Sequence, residues 1–193
     1  MIFNAAHYQP DVWKRIKKII ASNRVGSAYL FSGPEGSGKE ATALAMGAAL
    51  NCKNNTTICG TCSSCLRFAS MQHEHLHVVV PLPRKKESID KDTDVLVIIG
   101  DKNAALLTDL LQKKGEDPFQ KIKLPQAKRI LINSIRELRK KLYLKSVDYG
   151  YKIVLIFDAH YLSDGDGASA NALLKVLEEP PEKTIIILVT DHK

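Results

Sequence analysis

A three-layer α/β fold with a parallel central sheet, of the P-loop type, is what this sequence predicts, and three observations carry the prediction. Strand-like aliphatic runs alternate with helix-period segments. A glycine-rich loop, Gly33–Lys39, falls between a strand and a helix. The run after Lys152, Ile153–Phe157, has no polar interruption, the pattern of a strand covered on both faces.

The elements follow in order. Asp11 is expected as the N-cap of a helix carrying Val12, Trp13, Ile16, Ile19 and Ile20 at spacings of three and four. Ala28–Phe31 reads as a short buried strand, and Ala41–Leu50 as a helix after the glycine loop. Leu76–Val80 is a second strand, stopped by Pro81 and Pro83. Residues 84–118 change texture: a polar opening, Arg84-Lys85-Lys86-Glu87, a helical patch at Ala104–Leu111, then Gly115 and Pro118. They read as an insertion that leaves the core. Ile130, Ile132, Ile135, Leu138 and Leu142 predict a helix over Gln126–Lys141. Ala168–Glu179 is helical, Pro180-Pro181 ends it, and Thr184–Val189 is a last strand. No internal repeat is visible.

Composition narrows the class. A chain of 193 residues with 45% hydrophobic content buries roughly 70% of its unfolded surface, enough for a core without disulfides. Lys and Arg number 28 against 21 Asp and Glu, a net charge of +7 that suits either a polyanionic partner or an ordinary solubilising surface. The longest aliphatic run, Ile185–Val189, falls far short of the ~20 residues of a membrane span. The N-terminus lacks the apolar block of a secretory signal. All four cysteines lie between positions 52 and 65, which favours reduced, metal-type use in a cytoplasmic protein over a disulfide scaffold.

Gly33-Pro34-Glu35-Gly36-Ser37-Gly38-Lys39 carries the G-x-x-x-x-G-K core of a phosphate-binding loop in the required strand–loop–helix context. Its glycines let backbone N–H groups turn toward phosphate oxygens, the helix N-terminus adds positive potential, and Lys39 would reach the outer phosphates. A glycine turn that happens to precede a lysine is the plain alternative. Gly33, Gly36, Ser37, Gly38, Lys39 and, at the end of the central strand, Asp158 are the candidate ATP/Mg²⁺ residues. Two positions depart from a working site. Ser or Thr, whose hydroxyl ligates Mg²⁺, is replaced by Glu40, a carboxylate expected to face and repel phosphates. Thr42 lies two residues too far on to substitute. Asp158 is followed by Ala159 and His160, so no general base is in view. No stand-alone catalysis is expected.

Cys52, Cys59, Cys62 and Cys65 are spaced C-x6-C-x2-C-x2-C. The two C-x2-C steps resemble knuckle turns whose N–H groups stabilise bound thiolates, and four thiolates suit tetrahedral zinc. Segment 51–66 is therefore read as a small zinc module with a structural role. It has no Lys or Arg between Cys59 and Cys65 with which to neutralise phosphate. His73, His75 and His77 are read as structural or surface histidines.

Residues 126–145 hold Lys128, Arg129, Arg136, Arg139, Lys140, Lys141 and Lys145 against Glu137 alone. On a helix, Arg136, Arg139 and Lys140 form one stripe and Lys128 and Arg129 project elsewhere. A solvated face is the plain reading of that stripe.

Three strings occur in order: Ser27-Ala28-Tyr29-Leu30-Phe31-Ser32-Gly33-Pro34, the knuckle Cys59-Gly60-Thr61-Cys62-Ser63-Ser64-Cys65, and Asn171-Ala172-Leu173-Leu174-Lys175-Val176-Leu177-Glu178-Glu179-Pro180-Pro181. Together they closely resemble the bacterial clamp-loader subunits of DNA polymerase III, the gamma/tau and delta-prime group of AAA+ proteins. The resemblance covers the chain except for 84–118. It implies that residues 1–193 hold most of a first AAA+ domain, with the arginine finger, lid and collar beyond. Because Glu40 and Ala159 depart from the gamma/tau pattern, the chain looks like delta-prime, whose own ATP site is degenerate. The implied partners are gamma/tau and delta subunits, the sliding clamp and primed DNA, within a polymerase holoenzyme. Thr190 falls near the sensor-1 position. The family also lines its ring with basic helices that track DNA, which turns Arg136, Arg139 and Lys140 into candidate phosphate contacts. Two rival functions stay open: an active gamma/tau-type ATPase that tolerates Glu40, and a zinc-dependent DNA-binding module.

Overall fold

The computed structural model describes residues 5–54, 58–84, 93–144 and 150–192. Four parallel strands, β1 (Ala28–Ser32), β2 (Leu76–Val79), β3 (Lys152–Ile156) and β4 (Thr184–Thr190), form one sheet in the order β1-β4-β3-β2. The helices are α1 (Ala5–Tyr8), α2 (Pro10–Ala21), α3 (Lys39–Leu50), α4 (Ser63–Ala69), α5 (Val95–Ile99), α6 (Asp101–Glu116), α7 (Ile132–Tyr143) and α8 (Ala168–Glu178).

Strand side chains alternate between two cores, as a period of two requires. Ile153, Leu155 and Phe157, with Ile185, Ile187 and Val189, join Trp13, Ile16 and Ile20 of α2, the α3 residues, Phe68 and the α5 residues Val95, Ile98 and Ile99. Val154, Ile156 and Ile186 join Ile135, Leu138 and Leu142 of α7 and Leu173 and Val176 of α8. Helices thus cover both sheet faces, the three-layer arrangement the sequence predicts. The pair β3–β4 is central and reads as continuous aliphatic sequence for that reason.

Several expectations change. Strand β1 is not buried: it is an edge strand, its residues alternate between exposed and half-buried, and Leu30 is 63% exposed. Helix α2 starts earlier than predicted, with Gln9 as N-cap and Pro10 in the first turn, where a missing N–H costs nothing; Asp11 then sits in that turn, facing the positive helix end. Helix α7 begins at Ile132, not Gln126. Gln126 takes a positive φ of 59°, and the 127–131 backbone bonds sideways instead, Leu82 N–H to Arg129 O and Ile130 N–H to Tyr161 O. Lys128 and Arg129 therefore lie before the helix. Residues 85–92, within the segment read as an insertion, and Lys145 lie outside the described residues. The described remainder, 93–118, returns two helices to the molecule, and α5 contributes Val95, Ile98 and Ile99 to the larger core. Among the described residues, no helix is long and apolar enough to cross a membrane.

Candidate functional site

The glycine loop leaves the end of β1 and enters α3. Gly36 and Gly38 both have φ near 76°, a left-handed conformation that β-carbons disfavour. Ser37 N–H bonds Pro34 O at 3.3 Å and tightens the turn. Lys39 curls back over the loop: its Nζ donates to Pro34 O at 2.6 Å and to Ser37 Oγ at 3.2 Å, and pairs with Asp191 at 2.8 Å. Gly33, Gly36, Ser37, Gly38 and Lys39 are thus brought together in one turn. Thr42 is buried, and its hydroxyl donates to Gly38 O at 2.8 Å.

Glu40 corrects one expectation. Its carboxylate does not stand unopposed toward phosphates; it is ion-paired and hydrogen-bonded to Lys114 at the end of α6. Lys114 is fully buried, also donates to Gln120 O at 2.7 Å, and lies 5.1 Å above the Phe157 ring. Burial raises the Glu40 pKa and lowers that of Lys114, while each charge opposes the shift in its partner.

Asp158 lies two residues past β3 with φ 49°, leading into a 3₁₀ turn, Ala159–Leu162. Its nearest cation is Lys121 at 3.7 Å. Lys121 also meets Asp191 at 2.5 Å and Glu35 at 3.2 Å, and Lys123 meets Glu35 at 3.2 Å. Burial alone would lower the Lys121 pKa, yet Asp191, Asp158 and Glu35 together hold it above lysine's ordinary value. Asp191 resists its own partial burial and is held down at about 2 by Lys121 and Lys39. Thr190 accepts from the His192 N–H at 3.1 Å and meets His160 Nδ1 at 3.3 Å. Sequence reasoning missed Lys114 and Lys121. Both lie in or beside the segment read as an insertion, and no local motif marks them.

The four cysteines also converge. All four Sγ atoms lie within 4.8 Å of one another, with Cys59 and Cys65 3.9 Å apart. A tetrahedral ion with metal–sulfur bonds of about 2.3 Å sets its sulfurs roughly 3.8 Å apart, so the cluster fits such an ion and is too open for a disulfide. Gly60, φ 72°, makes the knuckle turn. Cys62 N–H points at Cys59 Sγ at 3.3 Å and Cys65 N–H at Cys62 Sγ at 3.5 Å. Thr61 and Cys62 hydrogen bonds lower the Cys59 pKa to about 5. In Cys62, bonds from Cys65 and Lys53 N–H groups outweigh burial and lower it too, while burial pushes Cys65 up. His73 is absorbed structurally: it is buried against Phe68 and bonds Ser64 Oγ at 2.9 Å.

Arg136 and Arg139 of α7 line a groove of about 340 Å³ with Asn171 and Lys175 of α8; Lys140 does not line it. Arg139 also lies 5.9 Å over the Tyr143 ring.

A parallel three-layer sheet with a phosphate loop at a strand end defines a P-loop NTPase domain, here carrying a four-thiol knuckle. Residues 8–193 match the family described as DNA polymerase III, delta subunit, and the chain belongs to that family, within the gamma/tau and delta-prime group. Among curated relatives, the DNA polymerase III subunit gamma/tau of Mycobacterium bovis is 28% identical over 184 residues, covering 94% of this chain and 24% of that protein. The DNA polymerase III subunit delta' of Bacillus subtilis is 29% identical over 187 residues, covering 95% of this chain and 42% of that protein. The chain thus spans less than half the length of either. A solved gamma subunit-related protein of Thermotoga maritima aligns with a TM-score of 0.46 at 17% identity, covering 94% of this chain and 40% of that one.

Proposed function

We propose that the chain is a delta-prime-like subunit of the DNA polymerase III clamp loader, acting in the cytoplasm with gamma/tau and delta subunits to place the sliding clamp on primed DNA. Its own ATP site is degenerate. The observation that carries this reading is Glu40: it replaces the Mg²⁺-ligating hydroxyl, and its carboxylate is committed to buried Lys114. Ala159 after Asp158 leaves no side chain there to polarise a water. Bound to the loop, Mg-ATP would supply phosphoryl chemistry; this chain's residues offer Lys39 and backbone N–H groups to orient phosphates, and at the position after Asp158 only the methyl group of Ala159, which cannot activate an attacking water.

The thiolates of Cys52, Cys59, Cys62 and Cys65 hold a structural zinc ion in this reading, supported by sulfur spacing and knuckle N–H bonds. Arg136, Arg139 and Lys140 of α7 give the subunit a phosphate-directed, sequence-independent contact with DNA.

Reconstitution with the host's gamma, delta and clamp subunits tests the assignment. The protein is expected to enter the loader and to be required for clamp loading, with Lys39→Ala leaving the loader's ATP turnover unchanged. Micromolar Mg-ATP binding, with turnover abolished by Lys39→Ala, would instead identify an active gamma/tau-type subunit. DNA binding that vanishes on chelation, with no loader partner recovered, would identify a zinc-dependent DNA-binding module.

A further inference from the structure

The lysine of the phosphate loop finds its partners within the chain. The ammonium of Lys39 has three N–H donors, and here it has three partners: Pro34 O, Ser37 Oγ and the Asp191 carboxylate. One of the three is an anion. The other Asp191 oxygen is taken by Lys121, whose ammonium also faces Glu35 and Asp158. Lys121 arrives on a segment, Pro118–Lys123, that leaves α6 directly after the anchor formed by Lys114 and Glu40. On the same segment Phe119 lies against the loop: a β-carbon at Gly38 would come 3.1 Å from its ring. Phe119 is braced from outside by Tyr8, edge to face at 5.1 Å.

Charge around the loop is balanced internally, with Lys39, Lys121 and Lys123 set against Glu35, Asp158 and Asp191. A polyphosphate entering this site gains no net attraction from these side chains and must displace Asp191 from two ammonium groups. The cavity left between the loop, Phe119, Lys121 and Asp191 is about 230 Å³, below the roughly 300–1,000 Å³ of ligand sites.

We propose that this phosphate loop is self-ligated: Asp191 occupies Lys39 as a phosphate oxygen would, Lys121 stands between Asp158 and Asp191 as a divalent cation would, and the Pro118–Lys123 strap is an autoinhibitory contact against nucleoside polyphosphates. The proposal rests on the degenerate-site reading but not on the subunit's place in a loader. It assigns the loss of nucleotide binding to residues outside both ATPase motifs.

Calorimetric titration of the protein with inorganic tripolyphosphate and with ATP, each with and without Mg²⁺, tests it. The wild type is expected not to saturate at millimolar ligand. Asp191→Asn removes the competing anion while keeping its shape, and should raise affinity for both ligands at least about tenfold, with or without Mg²⁺; Lys39→Ala in the same protein should erase the gain. Lys121→Met frees Asp158 and Asp191 together, so any ATP binding it gains should require Mg²⁺. Unchanged affinity in a folded Asp191→Asn protein, with thermal midpoint and circular dichroism as wild type, would overturn self-ligation alone. Micromolar Mg-ATP binding by the wild type would overturn both self-ligation and the degenerate-site reading. Failure of loader assembly, read separately by reconstitution, would touch neither.

Discussion

Lys114 and Glu40, 74 positions apart in the chain, form an ion pair at the mouth of the phosphate loop, with Lys114 wholly buried and Glu40 12% exposed. Taking two charges out of water is costly, and this pair offsets the cost with close contact, a second acceptor on Gln120 and the Phe157 ring face. The residue that stands where a Mg²⁺-ligating hydroxyl belongs is also a structural anchor.

Placing a hydroxyl at position 40 is therefore not expected to confer ATPase activity. Glu40→Thr leaves the Lys114 ammonium buried and unpaired, and is expected to destabilise the protein by about 3–5 kcal/mol. Replacing both charges, Glu40→Leu with Lys114→Met, is expected to recover wild-type stability or better. Urea unfolding of the single and double variants measures both.

Metal analysis of protein purified without chelator is expected to give one zinc per chain. Cys59→Ser or Cys65→Ser should abolish it and cost several kcal/mol, because an ion held by these four thiols would be coupled to local folding around α4. Cys62 caps that helix, so helical circular dichroism should fall with the metal.

Stability should decline on acidification through two buried or half-buried imidazoles, His73 and His77, both of which burial holds at about 4. Burial, aided by the Lys141 and Lys152 charges, lowers the His77 pKa to about 4 from an ordinary 6.5. Between those values the unfolded chain binds a proton that the folded chain refuses, so stability rises with pH across that window and is lost as pH falls through it. Thermal midpoints from pH 7 to about 4.5 should show a drop that His77→Phe reduces and that His73 continues to supply in part.

Charge reversal at Arg136 and Arg139 is expected to weaken DNA binding by the assembled loader and to lower its salt slope by about 1 for each phosphate no longer neutralised. ATP binding by neighbouring subunits should not change. A salt slope equal to wild type would reduce the stripe to a solvated face.

The strands and the thiolate cluster are legible in the sequence because their signals are local. Ile153–Phe157 and Thr184–Val189 declare burial by composition, and the two C-x2-C steps declare a knuckle by spacing. What escapes is non-local. Lys113 and Lys114 are neighbours in sequence, yet Lys113 is exposed in a helical pair with Asp109 and Lys114 is buried against Glu40. Only the tertiary path of α6 separates them. The same holds for Lys121 and Asp191, 70 positions apart. The start of α7 is misread because Ile130 continues the apolar period while its N–H is claimed by Tyr161. The exposure of β1 escapes because aliphatic composition does not report which strand forms an edge.

Helix α3 runs from the phosphate loop toward the thiolate knuckle, and its residues Ala41 to Ala49 are all buried. Over 12 residues it is about 18 Å long, and it is rich in small Ala side chains that let neighbours close on every side. A rod held on all sides opens only when the layers around it separate. Its amides from Thr42 onward should therefore exchange with deuterium only through global unfolding.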